Sequence, residues 1–99
     1  MKAPTKSVDV LVAGGGMAGI FAALGASKRG LRVALIEPSN VLGGQGTAGG
    51  VAGLCGDTER VNAHFKRLIN ALLEHDKIAP YNPVADRRPF DLEICGFFL

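Results

Sequence analysis

One short run decides which folds are open to this chain: Gly14-Gly15-Gly16-Met17-Ala18-Gly19, set between two segments of opposite character. Before it stand residues 7–13, Ser-Val-Asp-Val-Leu-Val-Ala, rich in β-branched side chains. A near-continuous apolar run of that length predicts a strand buried on both faces. After it, residues 17–29 are alanine-rich, close on Lys28 and Arg29, and are followed by Gly30. That is the pattern of a helix and its C-terminus. Residues 31–37, Leu-Arg-Val-Ala-Leu-Ile-Glu, predict a second strand, stopped by Pro38. Strand, glycine turn, helix and strand make a βαβ unit with parallel strands and, as a rule, a right-handed crossover. The fold class is α/β with a Rossmann-like start.

The remainder is less regular. Ninety-nine residues hold at most one domain. Residues 1–6 read as a polar, flexible tail and residues 7–99 as part of one dinucleotide domain. Apolar residues make up 47% and charged residues 20%, which excludes a chain disordered by composition. From residue 38 to 56 no period survives, and long loops in compact domains are more often functional than idle. Asp57 or Thr58 is expected to cap a second helix reaching about Glu74, with Val61, Phe65, Leu68, Ile69 and Leu72 along one face. Residues 75–89 hold three prolines and read as loop, and Asp91 is placed to cap a last helix beginning at Leu92. The ending Cys95-Gly96-Phe97-Phe98-Leu99 is apolar to its last residue, which reads as the end of a fragment.

The glycine turn has a chemical use. Gly14 permits the tight turn out of the strand. Gly16, without a Cβ, lets a pyrophosphate approach the backbone. Gly19 lets the helix pack close to the sheet. The helix start at Met17-Ala18 offers free N–H groups and the positive end of a dipole. Glu37, ending the second strand, can accept both hydroxyls of an adenosine ribose and would repel a 2′-phosphate. A second glycine cluster follows: Val41-Leu42-Gly43-Gly44-Gln45-Gly46-Thr47-Ala48-Gly49-Gly50. A long ligand with a ribityl chain and a flavin ring needs such backbone approach beyond the first phosphate site, and Thr47 can donate a hydroxyl hydrogen bond. A plain NAD domain has little use for this loop, although Glu37 and the first turn serve NAD equally well.

These residues resemble the N-terminal part of FAD-dependent oxidoreductases built on two dinucleotide folds. The shared pattern is Asp-x-x-Val-x-Gly-Gly-Gly-x-Ala-Gly, a strand ending in Glu, then Leu-Gly-Gly-x-x-Thr-x-Gly. It is carried here by Asp9, Gly14, Gly15, Gly16, Ala18, Gly19, Glu37, Leu42, Gly43, Gly44, Thr47 and Gly49. Phe90-Asp91-Leu92-Glu93 resembles a segment that opens a helix further along in that family. The resemblance implies FAD as cofactor. It implies that Gly14, Gly16, Met17 and Ala18 hold the pyrophosphate, Glu37 and the adjoining Pro38 the adenosine side, and Gly43, Gly44 and Thr47 the pyrophosphate and flavin side. It also implies that a substrate domain and the segment closing over the ribityl chain belong to further polypeptide, a partner this chain would require. The rivals are an NAD-binding dehydrogenase domain and a truncated nucleotide-binding module without catalysis.

Other residues carry less. A net charge of +2 and aromatics at 6% argue against nucleic acid as a partner. The uncharged stretch from Val10 to Ser27 carries too many glycines for a membrane helix, so no membrane insertion is expected. Cys55 and Cys95 show no metal-ligand spacing and read as reduced thiols of a cytoplasmic protein, with no metal site. His64 and His75 read as structural helix residues, and Arg87-Arg88 as a solvated loop pair. No catalytic residue and no substrate can be named.

Overall fold

The computed structural model describes residues 5–55, 58–84 and 87–91. The chain opens with strand β1, Val10–Ala13, followed by helix α1, Met17–Lys28, and strand β2, Val33–Ile36. The two strands pair in parallel, Val10 opposite Val33 through Ala13 opposite Ile36. The chain is therefore the α/β unit expected, with α1 packed against both strands. At the mouth of the pair, Asp9 accepts bonds from the backbone N–H of Arg32 at 2.8 Å and from its guanidinium, pinning the two strand starts together. The Arg32 bonds hold the Asp9 carboxyl below its ordinary range.

Helix α1 stops where the sequence says it should. Gly30 takes a φ of +81°, its N–H bonds to Ser27 O at 2.9 Å, and Leu31 N reaches Ala26 O. These bonds cover carbonyls that the helix end would otherwise leave open.

The expectation that both strand faces are buried fails. Leu11 is 58% exposed and Ile36 57% exposed. Among the described residues α1 covers one face of the pair, so side chains alternate between helix and open surface along β1.

The second half also departs from expectation. Helix α2 spans Ala63–Glu74 and is capped by Asn62, whose Oδ1 accepts from Phe65 N at 2.9 Å. Thr58 lies in a bend ahead of it, and Asp57 falls outside the described residues. An Asn side chain satisfies the first-turn donors as well as Asp or Thr does, so composition alone did not choose among the three. Strand β3, Gly53–Cys55, pairs antiparallel with strand β4, Arg87–Pro89. Neither was foreseen, because three residues are too short to show a period. Arg87-Arg88 is thus strand rather than loop: Arg88 Nε donates to Ala79 O at 2.8 Å, and the Arg87 stem packs over Gly53. Phe90 pairs with Ile78 and is buried, and the helix expected from Leu92 lies outside the described residues.

The core forms where α2 meets this ribbon. Leu68, Ile69, Leu72, Ile78 and Phe90 are buried, with Met17, Phe21, Leu54, Val61 and Phe65 packed against them. Phe21 of α1 meets Phe65 of α2 edge to face, ring centroids 5.3 Å apart, which ties the first half to the second. All five residues of the expected α2 face take part.

Helix α2 ends on a residue poorly suited to the task. Asp76 takes a φ of +58°, and its N–H and that of Lys77 bond back to Leu73 O and Leu72 O. This is the glycine position of a helix terminator, and a negative charge there opposes the helix dipole. Asp76→Gly should therefore stabilise the fold by about 1 kcal/mol, read as a rise in denaturant midpoint at unchanged slope.

Candidate functional site

The site is assembled from two glycine loops laid side by side beyond the carboxyl ends of β1 and β2. The first leaves β1 at Gly14, whose φ of +114° is a turn that a side chain rarely permits. Its N–H donates to Ile36 O at 2.8 Å, extending the parallel ladder one step. Gly19, one turn into α1, lies directly against this turn. A Cβ there would overlap the Gly14 carbonyl oxygen and press on Val12.

Gly16 is different. It is the N-cap of α1, in extended backbone with a φ of −71°, and any residue could adopt that conformation. Among the described residues a Cβ added at Gly16 would meet nothing within 4 Å. Among the described residues no side chain caps the helix, and no acid sits in its first turn. Helix starts leave their first N–H groups without intrahelical partners; here those of Met17 and Ala18 begin the helix. Among the described residues the bend therefore presents bare backbone and the positive end of the helix dipole, the arrangement that suits an anion.

Glu37 turns toward this bend. Its Oε1 accepts from Gly15 N at 2.9 Å and its Oε2 from Ser39 N at 2.7 Å. The hydrogen bonds from Ser39, then that from Gly15, hold the carboxyl below its ordinary value of 4.5. A carboxylate offers about four acceptor positions, so roughly two remain for donors from a ligand. Gly15 has no room for a side chain: a Cβ would come within 2.8 Å of Leu42 Cδ2 and 3.0 Å of Glu37 Cβ. The middle glycine of the triplet is thus explained by packing between the two loops.

The second loop docks onto the first. Gly43 pairs with Gly16 in a parallel bridge, and Gly43 N donates to Gly15 O at 2.8 Å. A short 3-10 turn follows at Gly44–Gly46. A Cβ at Gly44 would stand 3.0 Å from Gly16 Cα, and one at Gly46 would stand 2.6 Å from Met17 Cε. These glycines have a packing reason that sequence reading did not weigh. The Thr47 hydroxyl donates to Leu42 O, closing the loop on itself and leaving the oxygen to accept. Pro38 opens the bend between Glu37 and the second loop.

The structure thus gathers Gly14, Gly15, Gly16, Met17, Ala18, Gly19, Glu37, Gly43, Gly44 and Thr47 into one lip. A groove of about 770 Å³ runs between α1 and α2, lined by Ala18, Phe21, Lys28, Arg29 and His64 among others. His64 is half-buried there with Nδ1 unpartnered among the described residues. His75 Nδ1 meets Ala71 O at 2.9 Å at the end of α2, a structural contact.

One participant escaped sequence reading: Ser39, which holds Glu37, although turn chemistry in Pro38-Ser39-Asn40 was a signal for it. Leu42 was read as part of the Leu-Gly-Gly pattern, and the structure adds its place over Gly15. Among the described residues no helix is long and apolar enough to cross a membrane. A family model described as FAD dependent oxidoreductase matches residues 9–96. No curated protein and no solved structure gives a significant match.

Proposed function

Since the chain belongs to the FAD-dependent oxidoreductase family and is an FAD-binding portion of such a protein, we propose which of its residues hold the cofactor. The Gly14–Gly19 turn seats the pyrophosphate against the amides of Gly16, Met17 and Ala18. Glu37 accepts the two adenosine ribose hydroxyls on its free acceptor positions. Gly43, Gly44 and Thr47 flank the path toward the flavin. The observation that carries this reading is the bare bend at Gly16, with open space where a side chain would stand, beside a carboxylate already aimed at it. The residues present fit the cofactor.

When bound, FAD supplies redox chemistry, taking up electrons from one molecule and returning them to another. The chain's own part is to bind and orient. The positive dipole end of α1 complements the diphosphate charge. Glu37 gives a directional grip on one end of a long molecule. Substrate oxidation or reduction is proposed for the protein as an oxidoreductase, with the substrate contacts and the closure over the ribityl chain made by further polypeptide. A cytoplasmic location is proposed with this reading; Cys55 is exposed and makes no disulfide among the described residues.

Titration of the chain with FAD, followed by flavin fluorescence, tests the assignment, with NADH as rival ligand. Saturable FAD binding that NADH does not displace is expected. Selective NADH binding would transfer the site to a dehydrogenase.

The affinity has a predicted pH profile. Ribose hydroxyls donate most strongly to Glu37 when its carboxylate is ionised, and its N–H partners keep it ionised below 4.5. The stabilisation those N–H bonds give the fold is fully present above the unfolded value and is lost as pH falls through the lower folded one. FAD affinity should stay level from neutral pH down to 4.5 and weaken only below it. A loss beginning near pH 6 would point to a histidine instead.

A further inference from the structure

We propose that Ser39 is a positioning residue that aims the Glu37 carboxylate and so sets how strongly the site prefers a ribose carrying both hydroxyls. The inference rests on the reading of Glu37 given above. Ser39 does not itself need to touch the cofactor. Its backbone N–H holds Glu37 Oε2 at 2.7 Å, while its side-chain Oγ donates to Val41 O at 2.9 Å and accepts from Val41 N at 3.3 Å. The hydroxyl thereby closes residues 39–41 into a small ring. That ring fixes the direction of the Ser39 N–H.

A carboxylate held at one oxygen swings about that single bond. Held at both, by Gly15 N and Ser39 N, it has a defined plane. The acceptor positions left over then point in fixed directions, which a ribose diol can match without reorganising the site. The same ring leads directly into Leu42, which lies over Gly15, and Gly43, whose N–H reaches Gly15 O. Ser39 therefore sits where the carboxylate and the second glycine loop are oriented together. Removing its hydroxyl leaves the Ser39 N–H in place but opens the ring that fixes its direction, so only the Gly15 N–H keeps a fixed aim on Glu37.

The test compares FAD with an FAD analogue lacking the 2′ and 3′ hydroxyls of the adenosine ribose. Both are titrated into the full chain and its variants, and the ratio of the two affinities is read. Hydrogen bonds to a charged acceptor predict that the native chain prefers FAD by about tenfold or more. Glu37→Ala should bring the ratio near one. Ser39→Ala should lower it by about threefold or more with cooperative thermal unfolding retained, and Ser39→Thr, which keeps the hydroxyl, should restore it. A residue that merely steadied the loop would weaken both ligands alike and leave the ratio unchanged. An unchanged ratio in Ser39→Ala, or no restoration by threonine, overturns the role of Ser39 while leaving Glu37 in place. An unchanged ratio in Glu37→Ala removes the ribose reading itself. If Ser39→Ala does not unfold cooperatively, Ser39→Cys, close in size and a much weaker hydrogen-bonding group, is read by the same criteria.

Discussion

Gly16→Val is expected to keep the fold and lose FAD. The position is the extended N-cap of α1, a conformation valine adopts freely, and among the described residues nothing lies within 4 Å of its Cβ position. Replacing glycine at an N-cap with an aliphatic residue costs about 0.5–1 kcal/mol, a small effect on the melting temperature. The branched side chain would nevertheless fill the space above the helix amides, where the diphosphate has to sit. Affinity should fall by at least about a hundredfold, equivalent to roughly 2.7 kcal/mol. Circular dichroism melting and FAD titration on the same sample check the two halves separately. Native affinity in Gly16→Val would place the phosphates elsewhere; a collapsed melting transition would mean that Gly16 is a packing residue.

Gly19→Ala should show the opposite pattern, with the fold failing first. Its new Cβ would overlap the Gly14 carbonyl oxygen, a backbone atom held in the ladder by the Gly14 N–H bond to Ile36 O. Neither partner is a flexible side chain that can step aside. The helix would have to lift from β1, breaking the close approach that forms the turn. Overpacking of this severity costs about 3 kcal/mol or more, a large share of the roughly 5 kcal/mol that a small domain commands. The melting temperature should drop by more than about 10 °C, or cooperative melting should vanish. FAD at saturating concentration should recover part of the loss, because a ligand that binds only the folded form stabilises it. A normal melting curve for Gly19→Ala would show that helix and strand are not packed as described. The pair of substitutions separates two uses of glycine three residues apart: one keeps space for a ligand, the other keeps contact with the chain itself.

The parts of this protein that could be read from residue order are those set by neighbours in the chain. β-branched residues before a glycine triplet, alanines after it, cations and Gly30 at the helix end, and Glu37 after the second apolar run each act over a few positions. Together they specify β1, α1 and β2, and the structure places the Glu37 carboxylate against Gly15 N, a contact that residue order does not announce. The apolar face of α2 was legible for the same reason: a helical period repeats within one segment.

Folding settled the remainder, because the forces involved join residues far apart in sequence. Cys55 opposite Arg87, Ile78 opposite Phe90 and Gly16 opposite Gly43 are pairings that no short window contains. The glycines at 15, 44 and 46 look locally like turn residues, yet Leu42, the Gly16 backbone and Met17 occupy the space their side chains would need. Steric exclusion is a property of two surfaces brought together, so it exists only once the second loop lies on the first.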